Sequence, residues 1–370
     1  MQQTTNTILM IRPINFRMNE QTSVNNFYQK VLDNLLPASV NADAQKEFDN
    51  YVEKLQSHGV TVIVISDIEG SDTPDSIFPN NWISFHENGT VGLYPMFAEN
   101  RRFERREDIL DQLEAKGFVI KNSIDYSVAE QDNVFLEGTG SLMLDRVNRK
   151  AYCALSPRAD EDLFIEFCED FEYTPVLFIA NQTVDNNREV IYHTNVMMCL
   201  AETFAVICLA SIDDKKDRKN VLKHLKEDGK KVIEISEEQV NNFAGNMLQV
   251  RGTNDELFLV MSQAAYDSLN QSQLAQIGNH CKIISSPLDT IEACGGGKCT
   301  LYDGRGFSTK KVGESFTNNY FLITFLTTFP PFLNSIFKRY TPFEMFFRLI
   351  SSCFFFEIFF LPFKENKLKD

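Results

Sequence analysis

Residues 187–200 read NREVIYHTNVMMCL: an extended run, a histidine at position 193, two small polar residues and then a short apolar run. Four other segments share this build. They are FPNNWISF around Asn81, FLEGTGSLML around Glu137, FAGNMLQV around Asn246 and GGGKCTLY around Cys299. Successive intervals between the five positions are 56, 56, 53 and 53 residues. A near-constant period of this size marks a repeat architecture, in which one unit cannot bury its own apolar face and leans on its neighbours.

One unit can be read in full. After His193 come VMMCL and TFAVICLAS, two strand-like runs rich in β-branched and aromatic residues. SIDDKKDRKNVLKHLKEDG follows as a helix, with Ser211 or Asp213 as its cap, Val221, Leu222 and Leu225 on one face, and Gly229 as its stop. KKVIEIS is a third strand. The order β, β, α, β recurs after Glu137 (SLML, KAYCALS, PRADEDLFIEFCEDF, TPVLFIAN) and after Asn246 (NMLQV, ELFLVMS, QAAYDSLNQSQLAQIG, HCKIISS). It recurs less regularly after Asn81 (WISF, TVGLYPM, NRRFERREDILDQLEAKG, FVIKNS). Units packed about a common axis bring the polar residues at equivalent points to one end of that axis, where they make one site.

At the start of the chain, TILMIRPINF reads as a strand, Gln29 to Leu36 as a short helix, ADAQKEFDNYVEKLQSHG as an amphipathic helix ending at Gly59, and VTVIVIS as the strand after it. A lone N-terminal strand pairs naturally with a strand from the last unit, which removes exposed edges. Length and composition fit a single repeat domain of this kind. Eight cysteines without paired spacing, and no charged-then-apolar leader in MQQTTNTILMIRP, point to a reducing, cytoplasmic location without structural disulfides. A net charge of -15 argues against nucleic acid as a partner.

Residues 307–370 break the pattern. They hold 16 of the 32 phenylalanines, with FPPF and FFFEIFF, and no β, β, α, β order. Pro330 and Pro331 cut one apolar run, and Arg348 and Glu357 interrupt the next, so a membrane hairpin fits poorly. A hydrophobic docking tail is a second reading, and association of the tail with a membrane stays as a minor one. A third is translated non-coding sequence, since Phe, Lys, Asn, Ile and Tyr are what AT-rich triplets encode. The expected organisation is a propeller domain over residues 1–306, its last repeat incomplete, followed by an atypical tail over 307–370.

A cysteine, a histidine and a carboxylate at equivalent points of a closed repeat supply a nucleophile, a general acid/base and its partner. Cys299 is the candidate thiolate and His193 the proton shuttle. Glu137 either fixes that histidine or grips a cationic substrate. Each has a plainer reading, as an inert thiol, a satisfied polar residue and a turn residue. The shared register separates them from it: His58, His86, His224 and His280 all lie off the ladder.

The stretches TPDSIFPNNW, FLEGTGSLML, ALSPRADE, YHTNVMM, FAGNMLQV and IEACGGG, within residues 7–297, resemble the guanidino-group modifying enzymes of the pentein superfamily. These include arginine deiminase, dimethylarginine dimethylaminohydrolase and the amidinotransferases, and the resemblance is strongest to the amidinotransferase-like, citrulline-utilisation hydrolase branch. It implies a five-bladed α/β propeller of ββαβ units. It also implies covalent catalysis on a guanidino or ureido carbon by Cys299, with His193 as acid/base and Glu137 as the carboxylate beside it. Asp75 matches a substrate-contacting carboxylate, and Arg158 an arginine that binds the substrate α-carboxylate. Arg101 and Arg102 are candidates for a second such contact. The implied substrate is a small arginine-derived amino acid, such as citrulline or a methylated arginine. No cofactor and no metal are implied.

Two departures from the family pattern matter. Where arginine-acting members carry an aspartate, this chain has Asn81, whose amide both donates and accepts and suits a neutral ureido group. Where the branch reads GGG, Ser, one residue, Arg and then Cys, this chain reads GGGKC, and the apolar closing strand after the cysteine is missing. That loss is expected to leave the edge of the N-terminal strand unpaired. The expected function is hydrolysis of a non-peptide C–N bond. An amidinotransferase and a catalytically inactive binding protein of the same fold are the alternatives, and the oligomeric state is open.

Overall fold

The computed structural model describes residues 2–29, 37–295 and 302–303. Cys299, the tail over 307–370 and most of the helix expected over Gln29 to Leu36 lie outside the described residues.

In chain order, β1 (Thr7–Arg12) is followed by α1 (Pro37–Ser57) and β2 (Thr61–Ser66). The next unit has β3 (Ile83–Phe85), β4 (Thr90–Leu93), α2 (Glu107–Ala115) and β5 (Asn122–Asp125). After it come the one-turn helix α3 (Gly138–Ser141), β6 (Leu142–Asp145), β7 (Lys150–Ala154), α4 (Glu161–Asp170) and β8 (Thr174–Phe178). A hairpin, β9 (Asn181–Val184) and β10 (Asn187–Val190), leads to α5 (Thr194–Met197), β11 (Met198–Leu200), β12 (Phe204–Ile207), α6 (Lys215–Glu227) and β13 (Lys231–Glu234). The short helix α7 (Glu237–Asn241) opens the last complete unit. It contains β14 (Leu248–Arg251), β15 (Leu257–Ser262), α8 (Gln263–Ser268), α9 (Gln271–Gly278) and β16 (Lys282–Ser286). Finally α10 (Asp289–Gly295) precedes β17 (Tyr302–Asp303).

Among the described residues the strands form five three-stranded sheets, β17-β1-β2, β3-β4-β5, β6-β7-β8, β11-β12-β13 and β14-β15-β16, beside the β9–β10 hairpin. In each, the first pair is antiparallel and the second parallel. A parallel pair needs a crossover, and the helices α1, α2, α4, α6 and α8–α9 supply it. Burial follows from the layering. The middle strand β12 is buried at every residue, whereas the third strand β2 buries Ile63 and Ile65 and leaves Val64 and Ser66 exposed, one face turned inward and the other to solvent. Helix α1 buries Val40, Ala44, Phe48, Tyr51 and Leu55, a single helical face.

Four local expectations are corrected. The edge of β1 is not unpaired: Tyr302 and Asp303 lie antiparallel to it, opposite Leu9 and Ile8, so segments about 290 residues apart in the sequence build one sheet. Asp214, rather than Ser211 or Asp213, caps α6, accepting from the N–H groups of Lys216 and Asp217. The helix expected over QAAYDSLNQSQLAQIG breaks at Leu269, whose extended backbone lets Asn270 begin α9 with a capping box. The strand expected over FVIKNS starts later, at Asn122. The β9–β10 hairpin was not anticipated; Asp185 and Asn186 both take positive φ at its turn, the conformation that matches strand twist. Among the described residues no helix is long and apolar enough to cross a membrane.

Candidate active site

Glu137 and His193 occupy the same place in successive units, as the residues that precede the one-turn helices α3 and α5. These helices touch each other. The Thr194 hydroxyl stitches them, donating to the Ser141 carbonyl (2.5 Å) and accepting from the Ala154 N–H (2.7 Å). His193 Nε2 is thereby held 2.6 Å from Glu137 Oε2, with both side chains buried. Burial alone raises a carboxyl pKa, but Arg158, His193 and Arg101 outweigh it and hold Glu137 below the ordinary carboxylate range. Burial also pushes His193 down to about 4, against the pull of Glu137. The imidazole is therefore neutral at neutral pH. An ionised carboxylate only accepts, so the proton sits on Nε2 and Nδ1 carries the lone pair. A Cβ on Gly140 would stand 2.3 Å from Asn81 Nδ2 and 2.8 Å from His193 Nδ1, so only glycine fits between them.

Arg101 brackets the opposite wall. Its Nε and Nη2 donate to the two oxygens of Glu104 at 2.9 Å each, and its Nη1 donates to Asn81 Oδ1 at 2.9 Å. The guanidinium lies 3.9 Å from Asp75 Oδ2 and 3.8 Å from Glu137 Oε2. Burial opposes its charge, but Glu104, Asp75 and Glu137 outweigh that and keep it cationic. The Asn81 amide is thus pinned with its oxygen occupied, and its NH₂ remains for the pocket. Asp75 accepts from Asn19 Nδ2 (2.8 Å) and the Thr22 hydroxyl (3.3 Å) on Oδ2, while its Oδ1 is buried without a partner. Burial pushes the Asp75 carboxyl up, partly offset by Arg101.

Arg158 is buried and fully engaged. Its Nη2 donates to the Thr22 carbonyl at 2.9 Å, its Nε to Asn25 Oδ1 at 3.0 Å, and its Nη1 approaches Glu137 Oε2 at 3.5 Å. Its guanidinium also lies over the Tyr192 ring, 4.6 Å from the centroid. The segment after β1 therefore roofs the site, and Asn26 adds a bond from Nδ2 to the Gly295 carbonyl at 3.2 Å.

Between these groups lies a cavity of about 380 Å³, its open mouth included, lined by Asp75, Asn80, Asn81, Arg101, Arg158, His193, Asn195 and Asn246 among others. The side-chain oxygens of Asn80 and Asn246, like Asp75 Oδ1, are buried and unpartnered. With Arg101 and Arg158 engaged by protein acceptors, the cavity offers the oxygens of Asp75, Asn80 and Asn246 as acceptors and the Asn81 NH₂ as a donor, which suits a ligand that carries several N–H groups and an acceptor. Of the residues singled out from the sequence, Asp75, Asn81, Arg101, Arg158, His193 and Asn246 line the cavity, and Glu137 stands behind His193. Arg102 does not line it: its Nε donates to the Met96 carbonyl at 3.1 Å, and its guanidinium lies near Glu130 and Phe135. Cys299 lies outside the described residues. Glu104, Asn80, Asn195 and the residues Asn19 to Asn26 escaped the sequence reading. For Glu104 the signal was present, since positions i and i+3 share a face in the 3₁₀ turn that carries Arg101.

A family profile described as N,N dimethylarginine dimethylhydrolase, eukaryotic, matches residues 12–303. No curated protein sequence matches the chain significantly. Among solved structures, the substrate-bound N-terminal domain of ArgZ, an arginine dihydrolase from the ornithine–ammonia cycle in Cyanobacteria, is similar over 81% of this chain and 98% of its own, with TM-score 0.59 and 17% identity. AgrE with ornithine and NAD+ is similar over 82% of this chain and 40% of its own, with TM-score 0.61 and 20% identity. A dimethylarginine dimethylaminohydrolase adduct with S-methyl-L-thiocitrulline is similar over 81% and 99%, with TM-score 0.52 and 14% identity. At these identities the structures establish a shared fold, and the profile, which spans most of the chain, establishes descent: the protein belongs to the N,N dimethylarginine dimethylhydrolase family of the pentein superfamily.

Proposed function

We propose that the chain hydrolyses a non-peptide C–N bond in the guanidino or ureido group of an arginine-derived amino acid, citrulline or a methylated arginine, through a covalent intermediate on Cys299. The observation that carries this reading is the buried Glu137–His193 pair beside a cavity whose unpartnered oxygens call for N–H donors. His193 Nδ1 takes the proton of the Cys299 thiol, and Glu137 steadies the imidazolium. The thiolate adds to the central carbon. His193 then passes that proton to the departing nitrogen as the C–N bond breaks. In the second half His193 takes a proton from water, the resulting hydroxide adds to the same carbon, and the C–S bond breaks with return of the proton to sulfur.

Asp75 takes the cationic or N–H-bearing part of the substrate, and Arg158 its carboxylate, which must displace Asn25 from the guanidinium. The NH₂ of Asn81, its oxygen already held by Arg101, supports a carbonyl-bearing ureido group over a guanidinium. Five sheets of identical strand order among the described residues, one of them pairing residues 302–303 with the N-terminal strand, support closure into a five-bladed propeller over residues 1–306. The absence of a disulfide at Cys153, Cys168, Cys208, Cys281 and Cys294, among the described residues, supports a reducing compartment, the cytoplasm. A binding protein without turnover is the second reading, favoured by the early cysteine of GGGKC. Assay of the full chain with L-citrulline, L-arginine and N,N-dimethyl-L-arginine separates the two: binding without turnover of any of them excludes the hydrolase.

A further inference from the structure

Asn246 stands on the turn between α7 and β14 and has no part in the chemistry above. It is only 6% exposed and lines the cavity together with His193, Asp75 and Asn80. Its Nδ2 donates to the Asn195 carbonyl at 3.0 Å, which fixes the orientation of the amide. Its Oδ1 is left buried and unpartnered. Its backbone neighbour Gly245 packs directly on α5, since a Cβ there would meet the Val196 carbonyl at 2.2 Å. Asn246 is thus anchored beside the helix that His193 begins. An amide oriented by one donated hydrogen bond, with its oxygen buried and unpartnered, is a receptor for an N–H group.

We propose that Asn246 is a specificity-determining residue: its Oδ1 accepts a hydrogen bond from a nitrogen at the reacting end of an arginine-derived amino acid, next to His193. This rests on the function proposed above. A carboxamide accepts equally from a neutral ureido N–H and a cationic guanidino N–H, whereas a carboxylate in its place favours the cation. Asn80, Asn81 and Asn195 line the same cavity, so this end presents carboxamides on several sides, with Asp75 as the lining carboxylate among the described residues.

Calorimetric titration of the full chain with L-arginine and L-citrulline tests it, using the wild type, Asn246→Ala and Asn246→Asp. The alanine variant loses about tenfold or more in affinity for both ligands, as expected for a buried hydrogen bond. The aspartate variant keeps the acceptor but loses the donor to Asn195. It holds L-arginine near the wild-type level and raises the arginine-to-citrulline affinity ratio by about tenfold. Wild-type affinities in Asn246→Ala overturn the proposal, as does an aspartate variant that falls with alanine for both ligands at an unchanged ratio, the behaviour of a mere brace for α5. Where circular dichroism shows the alanine variant unfolded, the ratio in Asn246→Asp decides alone. A wild type that binds neither amino acid overturns the proposed function and this inference with it; wild-type binding that both substitutions leave unchanged overturns this inference only.

Discussion

The imidazole of His193 and the carboxylate of Glu137 meet at 2.6 Å although 56 residues separate them, because each precedes a one-turn helix at the same point of adjacent units. The repeat itself builds the pair. His193→Ala is expected to lower turnover by about 10² to 10⁴ while the fold persists, the usual worth of a general acid/base. Steady-state rates with circular dichroism check this; near-normal turnover excludes His193 as the proton shuttle.

The same pair makes stability depend on pH with a definite sign. His193 has a folded-state pKa of about 4, below its ordinary 6.5. The unfolded chain therefore binds more protons between those values, and stability falls as pH drops through that window. The contribution is fully present above pH 6.5, and its loss is on the order of a few kcal/mol. Urea midpoints between pH 7 and pH 4 are expected to fall more steeply for the wild type than for His193→Gln. Equal slopes contradict the buried neutral imidazole.

Glu104→Ala strips Arg101 of the carboxylate that grips it at two points. Removing one partner of a buried ion pair typically costs about 3–5 kcal/mol, and Asp75 and Glu137, at 3.9 and 3.8 Å from the guanidinium, keep the loss towards the low end. The expected outcome is a large drop in melting temperature, with loss of ligand binding because Asn81 is no longer pinned. A shift within the range of ordinary surface substitutions, about 0.5 kcal/mol, argues that Glu104 is not the bracket it resembles.

Gly140→Ala pushes a methyl group between Asn81 and His193. Overpacking of this kind costs about 1–3 kcal/mol in stability. Turnover is expected to fall further than stability accounts for, since the displaced groups are those at the reacting centre. Rates measured well below the melting temperature of the variant separate the two effects, and unchanged rates there contradict the placement.

The repeat, the element order and the meeting of Glu137 with His193 were legible because they follow from spacing. A period of 53 to 56 residues survives irregular unit lengths, and the polar-then-apolar step marks the entry to each first strand. What stayed hidden depends on contacts without period. Asn19, Thr22, Asn25 and Asn26 reach the site from a loop with no hydrophobic pattern, through bonds to Asp75, Arg158 and Gly295 far along the chain. Arg101 and Arg102 are neighbours in sequence, yet a 3₁₀ turn sends one inward to Glu104 and the other towards Glu130. The closing strand was misjudged for a different reason: a two-residue pairing to β1 is set by backbone hydrogen bonds, and no side-chain alternation announces it.

Covalent turnover at Cys299, driven by the His193–Glu137 pair, is open to direct observation. Acid-quenched peptide mapping by mass spectrometry measures it most directly, with the full chain mixed with L-citrulline, L-arginine or N,N-dimethyl-L-arginine and amine or ammonia release followed in parallel. Release from at least one of the three is expected, with a transient adduct on the peptide that contains Cys299 and loss of both in Cys299→Ala. Full release from Cys299→Ala, or an adduct on a different cysteine, contradicts covalent turnover at Cys299.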